Sequence, residues 1–498
     1  MAGPTNLKAH AAAFWPKIVQ SFCWIAAGKF LSQLGSWAIT IWVARLVSPG
    51  DYGLMALAAL FVAFGSLVNE LGLGAAIVRS PHVDATLLRK ALGAILALNS
   101  LLCCALMVLA PLAARAFQTP ALAPLVRLMA LHFVAAGLAA VPQSVMERDL
   151  DFRRLALVEL AANLAGAGVS LALALAGHGV WALALGALSL TWVRAGALLV
   201  VVPLPGPPIL SLRGMDSVLR FGGLLSVERI LWYLYSQADV IIAGRMLGAE
   251  ALGLYTLGKH LASLPSQKLS PILNQILLPA FARIQRDSAK IGSSLRQGLG
   301  AVSIAAWPVF VGIAAVSPEL VTTLLGDTWA PAVLPMQIYG AVIPFGMLSS
   351  VVLSALKGIG RVDLSLGNVA VACVLMPTAF LVGSHWGLLG LGLAWAAAYP
   401  IYCAVTLLRS SRALGTRAAT LAAEIWRPLA ASGLMLAAVL VLRAELERAL
   451  PAGPIRLAVL VLAGAGVYAG TMLLIARRAL GEARAMARSV RGAGLGET

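Results

Sequence analysis

The sequence predicts an all-α polytopic membrane protein of about fourteen transmembrane helices. These form two six-helix lobes related by pseudo-two-fold symmetry, followed by two extra C-terminal helices. Composition is the first reason: of 498 residues, 60% are hydrophobic and only 11% charged. Mean hydropathy is +0.90, and a soluble domain needs far more charged surface than this. Second, apolar stretches of about 20 residues, enough to cross a hydrocarbon core of about 30 Å, recur along the whole chain. Third, the sequence repeats itself without a gap at a shift of 200 residues. Lys29 aligns with Arg229, Leu34 with Leu234, Ser36 with Ser236, Ile41 with Ile241, Arg45 with Arg245 and Gly53 with Gly253. Ala and Leu matches are cheap in such a chain; the Ile, Ser, Gly and Arg matches are not. A repeat of this kind marks a transporter whose two halves face a shared site.

The predicted spans of the first half are 22–44, 54–78, 91–114, 122–141, 155–176 and 180–202. After them comes the densest proline break of the chain, Pro203-Leu-Pro-Gly-Pro-Pro, which reads as a linker over 203–217 joining the lobes. The second half gives 219–243, 252–278, 298–316, 332–356, 364–382 and 388–408. Two further spans, 425–442 and 457–476, lie outside the repeat, and Arg427 and Pro428 interrupt the first of them. The domain plan is therefore 1–202, 203–217, 218–408, 409–476, and a basic tail over 477–498. An even span count per lobe gives both lobes one orientation, with the pseudo-axis along the membrane normal.

The formal charge of +17 suggests nucleic acid until it is placed. With the N-terminus inside, 25 of the 37 Lys and Arg fall in cytoplasmic loops and tails, counting Arg220 and Arg427 at the cytoplasmic ends of their spans. The predicted outer loops and the outer ends of their spans hold only Arg45, Arg115, Arg127, Arg245, Arg443, Arg448 and Arg456. The excess follows the positive-inside rule with both termini cytoplasmic, so no nucleic-acid partner is needed. Cys23, Cys103, Cys104, Cys373 and Cys403 all lie in predicted spans and read as small packing residues. No cleaved signal peptide is expected. The six histidines show no metal-ligand spacing, and no phosphate-cradling glycine loop occurs. The expectation is a non-enzyme with no cofactor and no metal.

Helical spacing sorts the polar residues of the spans onto faces. In the first span Lys29, Gln33, Ser36 and Thr40 share one face; in the seventh, Arg229, Tyr233, Ser236 and Val240. The eighth carries Lys259, Ser263, Ser266, Ser270 and Asn274, with Gln267 beside them. A charge facing lipid at the bilayer centre costs about 3 kcal/mol or more, so these faces should meet protein or a water-filled cavity. The candidate cavity cations are Lys29, Arg229 and Lys259. The candidate polar lining is Gln33, Ser36, Tyr233, Ser236, Ser263, Ser266, Gln267 and Asn274. The competing structural reading, helix-to-helix hydrogen bonding, suits the isolated Asn99, Asn163, Gln337 and Asn368 better. Arg45 and Arg245 read as interfacial capping residues, with Asp51 and Glu250 following them, and Glu159 and Arg194 are a possible pair.

Six segments resemble one known family in order. They are Ala44-Arg-Leu-Val-Ser-Pro-Gly-Asp-Tyr-Gly, Glu147-Arg-Asp-Leu-Asp-Phe-Arg-Arg, Gly179-Val-Trp-Ala-Leu, Ala238-Asp-Val-Ile-Ile-Ala-Gly-Arg, Leu278-Pro-Ala-Phe-Ala-Arg-Ile-Gln and Leu325-Gly-Asp-Thr-Trp. They resemble the polysaccharide transporters of the MOP superfamily, the Wzx-type flippases, exopolysaccharide branch. The resemblance implies a bacterial inner-membrane protein that moves undecaprenyl-diphosphate-linked oligosaccharide to the periplasmic leaflet. It also implies working alongside a periplasmic polymerase and chain-length or export components. Only the general pattern of a cationic cavity carries over, onto Lys29, Arg229 and Lys259.

Three other readings differ in what they require. A multidrug exporter of the same superfamily should have twelve spans and a dominant cavity carboxylate. A glycan polymerase or ligase should show a large outer loop with clustered Arg or His. A lipid II flippase would be separated by complementation of a strain depleted of its own.

Overall fold

A computed structural model describes residues 39, 41–69, 84–204, 206–210, 233–451 and 453–475. No strand occurs among them, and eleven helices are long and apolar enough to cross a membrane. Helix is what the bilayer demands, because a spanning backbone has no water to satisfy its N–H and C=O groups. The protein is a multi-pass membrane protein. Spans one and seven, 22–44 and 219–243, fall largely outside the described residues.

The described helices group into two compact units. The first ends at Tyr233 and adds Gly248–Glu250; the second holds Leu234–Leu247 and everything from Ala251 onward. In the first, α1 (Pro49–Asn69), α2 (Ala85–Ala116), α3 (Leu122–Arg148), α4 (Phe152–Leu175) and α5 (Val180–Val201) follow in order. Here α2 pairs with α3, α4 with α5, and α3 with α5. Ala135, Ala139 and Met146 of α3 meet Val158 of α4 and Ala195 and Leu198 of α5 in one buried cluster. Small residues let these helices approach closely, which is how membrane helices gain packing energy without a hydrophobic drive. A Cβ on Gly166 would stand 2.8 Å from the Gly186 carbonyl oxygen, so α4 and α5 touch backbone to backbone.

The second unit contains a short α6 (Ala238–Met246), then α7 (Gly248–Ile284), α8 (Ser288–Leu325), a 3-10 turn (Asp327–Ala332), α9 (Val333–Gly358), α10 (Val362–Ser384) and α11 (Gly387–Ser411). Its pairing repeats that of the first unit: α8 with α9, α10 with α11, and α9 with α11. The last two helices, α12 (Ala418–Ala449) and α13 (Pro454–Ile475), pack on each other and both lie on α8.

The 200-residue repeat is visible at its best-matched point. A helix breaks after Leu46 and restarts at Pro49, with the Val47 N–H donating to the Val43 carbonyl at 3.0 Å. The equivalent break separates α6 from α7, with Leu247 donating to Ala243 at 2.8 Å. Each half thus turns the chain with the same pair of positions. Ser48 caps the first restart, its hydroxyl donating to Asp51 at 2.6 Å while the Asp51 N–H reaches it at 3.2 Å.

Helix ends differ from the span boundaries in one consistent way. The expected outer loops around 318–331 and 443–456 are shorter, because α8 continues to Leu325 and α12 to Ala449. Hydropathy registers only the stretch that needs lipid, whereas a helix runs on past it as long as its caps permit. Asp287 begins α8 in this way, outside the apolar stretch. It accepts from the Lys290 N–H at 3.1 Å, and this bond holds its carboxyl below the usual range.

The corner between α3 and α4 carries the Glu147-Arg-Asp-Leu-Asp-Phe segment. Leu150 takes a left-handed conformation (φ 56°) and Asp151 then caps α4 by accepting from the Arg154 N–H at 3.2 Å. The described part of the expected linker is fastened to α2. Arg89 Nε donates to the Pro207 carbonyl at 2.9 Å, and the Ile209 N–H donates to the Arg89 carbonyl at 3.0 Å.

Candidate functional site

A dense polar cluster of the second unit surrounds Asp239, the second residue of α6. Its side chain is wholly buried, and an isolated carboxylate there would carry a large desolvation cost. Four groups meet that cost. Lys259 Nζ, from α7, lies 2.5 Å from Oδ2. The Tyr255 hydroxyl, one turn earlier on α7, also donates to Oδ2. Trp395 Nε1, from α11, donates to the Tyr255 oxygen at 2.7 Å and reaches Oδ2 at 3.3 Å. The Val240 N–H donates to Oδ1 at 2.9 Å.

Aromatic faces complete the enclosure of Lys259. Its Nζ lies 5.2 Å from the Trp395 ring centre, 5.4 Å from that of Tyr339 on α9 and 5.9 Å from that of Tyr255. Trp395 in turn packs edge-on against Tyr339 and Tyr399, each at 5.0 Å. Helical geometry explains the grip: Tyr255 and Lys259 are four apart on α7 and share one face. Lys259, expected as a cavity cation, is therefore already neutralised by a carboxylate and boxed by rings.

Sequence reasoning missed Asp239, Tyr255 and Trp395. The repeat directed attention away from them, since positions 39, 55 and 59 of the first half are Ile39, Met55 and Ala59. The available signal was a lone carboxylate in an apolar run, ahead of a lone lysine. In the first unit Ile39 lines a cavity of about 160 Å³, together with Val43, Tyr52, Asn163, Ser170 and the Gly166 and Gly186 contact.

The remaining expected site residues are placed as follows. Lys29, Gln33, Ser36 and Arg229 lie outside the described residues. Tyr233 donates to the Leu60 carbonyl at 2.6 Å and leans on Phe64. Ser236 sits beside the start of α6. On α7, Ser263 donates to the His260 carbonyl, Ser266 to the Ser263 carbonyl, and Gln267 Nε2 to the Ser263 hydroxyl at 2.9 Å. Asn274 Oδ1 accepts from Ser350 at 3.0 Å and Ser354 at 2.8 Å, joining α7 to α9. Gln267 and Asn274 are exposed. The structure brings Ser263, Ser266 and Gln267 together, and places Asn274 apart from them with a different partner helix.

Two further clusters do structural work. Arg194 of α5 meets Glu159 of α4 at 2.7 Å and Gln143 of α3 at 3.1 Å, and Gln143 donates to Glu147 at 2.7 Å. Asn368 donates to Ser410 at 3.1 Å, tying α10 to α11 as a helix-joining asparagine should. Among the described residues no group of His, Cys, Asp and Glu has metal-binding geometry.

Two units with the same helix pairing, each turned by the same helix break, make up a fold that solved structures share. The solved structure of the lipid II flippase MurJ in an inward closed conformation superposes with a TM-score of 0.71 at 13% identity, covering 91% of this chain and 98% of that one. An inward-facing MATE multidrug transporter gives 0.60 at 17%, covering 79% and 96%. These likenesses show the fold. The chain belongs to the family described as polysaccharide biosynthesis protein, which it matches over residues 42–334. It is similar to the lipopolysaccharide biosynthesis protein WzxC of Escherichia coli, 27% identical over 76% of this chain and 78% of that one. It is also similar to the teichuronic acid biosynthesis protein TuaB of Bacillus subtilis, 27% over 61% and 63%. The succinoglycan biosynthesis transport protein ExoT of Rhizobium meliloti is 26% identical over 64% and 65%.

Proposed function

We propose that this protein is a flippase that carries undecaprenyl-diphosphate-linked oligosaccharide repeat units across a bacterial inner membrane. It feeds exopolysaccharide or lipopolysaccharide assembly, and both of its termini are cytoplasmic. The observation that carries this reading is the conjunction of a MOP-superfamily fold with family membership and relatives named for surface-polysaccharide biosynthesis. A polymerase and chain-length or export components act on the cargo once it reaches the periplasmic face.

The mechanism proposed is alternating access. The diphosphate enters between the lobes while the polyprenyl tail remains in lipid, and rocking of the lobes exposes the headgroup outward. A diphosphate needs cations that are not already spent. Asp239 neutralises Lys259, so the headgroup charge falls to Lys29 and Arg229, the latter able to grip phosphate oxygens with a forked guanidinium. Gln267 and Asn274, exposed on α7, would contact sugar hydroxyls.

The test is a deletion strain labelled in its glycan precursors. Lipid-linked repeat units should accumulate in the cytoplasmic leaflet and surface polymer should vanish, both reversed by the gene. Normal polymer export without the protein refutes the proposal. Rescue of a strain depleted of its lipid II flippase would assign the peptidoglycan precursor as cargo instead.

A further inference from the structure

We propose that Asp239, with the rings of Tyr255, Tyr339 and Trp395, is a receptor for a primary ammonium ion, filled in this structure by the chain's own Lys259. The carboxylate fixes the charge of the occupant. It is wholly buried, so a neutral occupant would leave it uncompensated in a low-dielectric surrounding. The rings fix the kind of cation. A small alkali ion stripped of water needs several oxygen ligands, and this pocket has few to give. The Tyr255 oxygen already donates to Asp239 and accepts from Trp395, and Asp239 Oδ1 is engaged by the Val240 N–H.

What the pocket does offer is three aromatic centres between 5.2 and 5.9 Å from one nitrogen. Ring faces attract an ammonium through its surface charge and need no lone pair. The other groups facing Asp239 are Trp395 from α11 and Tyr339 from α9, both uncharged, so Lys259 is the only cation placed against it among the described residues. The consequence is that the charge at this point of the second unit is built into the chain and does not depend on the surrounding salt.

Lys259→Ala removes three methylenes and the ammonium, which together make n-propylammonium. The test melts full-length protein, wild type and variant, in chlorides of N-methylglucamine, sodium and propylammonium at one ionic strength. In N-methylglucamine the variant should melt several degrees below wild type. Propylammonium should recover most of that loss in the variant and leave wild type unmoved, and sodium should not match it. The neutral pair Asp239→Asn/Lys259→Met should fold and respond to none of the three salts.

Equal effects of propylammonium on wild type and variant overturn the proposal, as does equal recovery by sodium. If Lys259→Ala survives extraction only with the amine present, that is the same recovery in another form. If no salt recovers it while the neutral pair folds, the receptor does not exist. The readout is melting, so failure here leaves the flippase proposal standing.

Discussion

Glu319 and Arg456 lie 137 residues apart in the chain, and their side chains meet at 2.8 Å inside the second unit. The carboxylate is wholly buried on α8 and serves two guanidiniums, the second being Arg443 of α12 at 2.8 and 2.9 Å. Arg443 also donates to the Ala315 carbonyl, and Arg456 to Glu447 at 3.2 Å. One carboxylate thus fastens both helices beyond the repeat onto α8. Glu319→Gln leaves the buried Arg456 and half-buried Arg443 without their counter-charge, and removing one partner of such a group costs about 3–5 kcal/mol. The expected outcome is lower abundance together with protease cleavage between α12 and α13. Unchanged melting and an intact C-terminal pair in limited proteolysis would show that apolar packing alone holds these helices.

A close helix contact gives the second prediction. Gly383 and Gly390 bring the end of α10 against the start of α11, and a Cβ on Gly390 would lie 1.9 Å from the Gly383 carbonyl oxygen. Backbone cannot yield as the tip of a side chain can. Gly390→Ala should therefore destabilise by about 1–3 kcal/mol, the usual range for overfilling a packed interior. Gly433→Ala is the control, since nothing lies within 4 Å of a Cβ there. Melting of the two purified variants decides it, and equal values would mean that the hairpin can open without cost.

How much of this was legible in the sequence depends on how local each feature is. The helix class and the two-half plan follow from composition and from a repeat whose Val47 and Leu247 positions turn the chain alike. Asp239 is different. Its meaning rests on Trp395, 156 residues away, and on Tyr339, neither of which any spacing rule connects to it. Arg443 and Arg456 read from sequence as outer-loop charges; they lie on helices, Arg456 buried and Arg443 half-buried, because Glu319 is there to receive them. Glu159 and Arg194 were recognisable as a possible pair because adjacent spans carried one charge each, and they meet at 2.7 Å. Buried charge makes sense only with its partner, and the partner is a property of the fold.

Orientation is the third prediction. Positive charge concentrates in the loops around 79–90 and 283–296, which should be cytoplasmic, and is sparse around 177–180 and 327, which should be periplasmic. Alkaline phosphatase fusions are active only outside and fluorescent protein fusions only inside. Fusions of both kinds at these four places should give two inside and two outside. An inverted result would refute cytoplasmic termini, and an odd pattern would break the equal orientation of the two halves.

The fourth prediction concerns the cations proposed for the headgroup. Lys29 and Arg229 occupy the same place in the two repeats, each within an apolar run. Lys259→Ala should disturb folding through Asp239, whereas removing Lys29 and Arg229 should disturb transport. The reason is differential: their loss relieves a desolvation cost on the fold while weakening attraction to a doubly charged diphosphate. Lys29→Ala/Arg229→Ala should abolish polymer export at normal membrane abundance, with precursor accumulating in the cytoplasmic leaflet. Lys29→Arg should keep partial activity, because charge survives while hydrogen-bond geometry changes. Export at the wild-type level by the double alanine variant, at wild-type abundance, would show that the repeated cations serve the fold and that the headgroup finds its charge elsewhere.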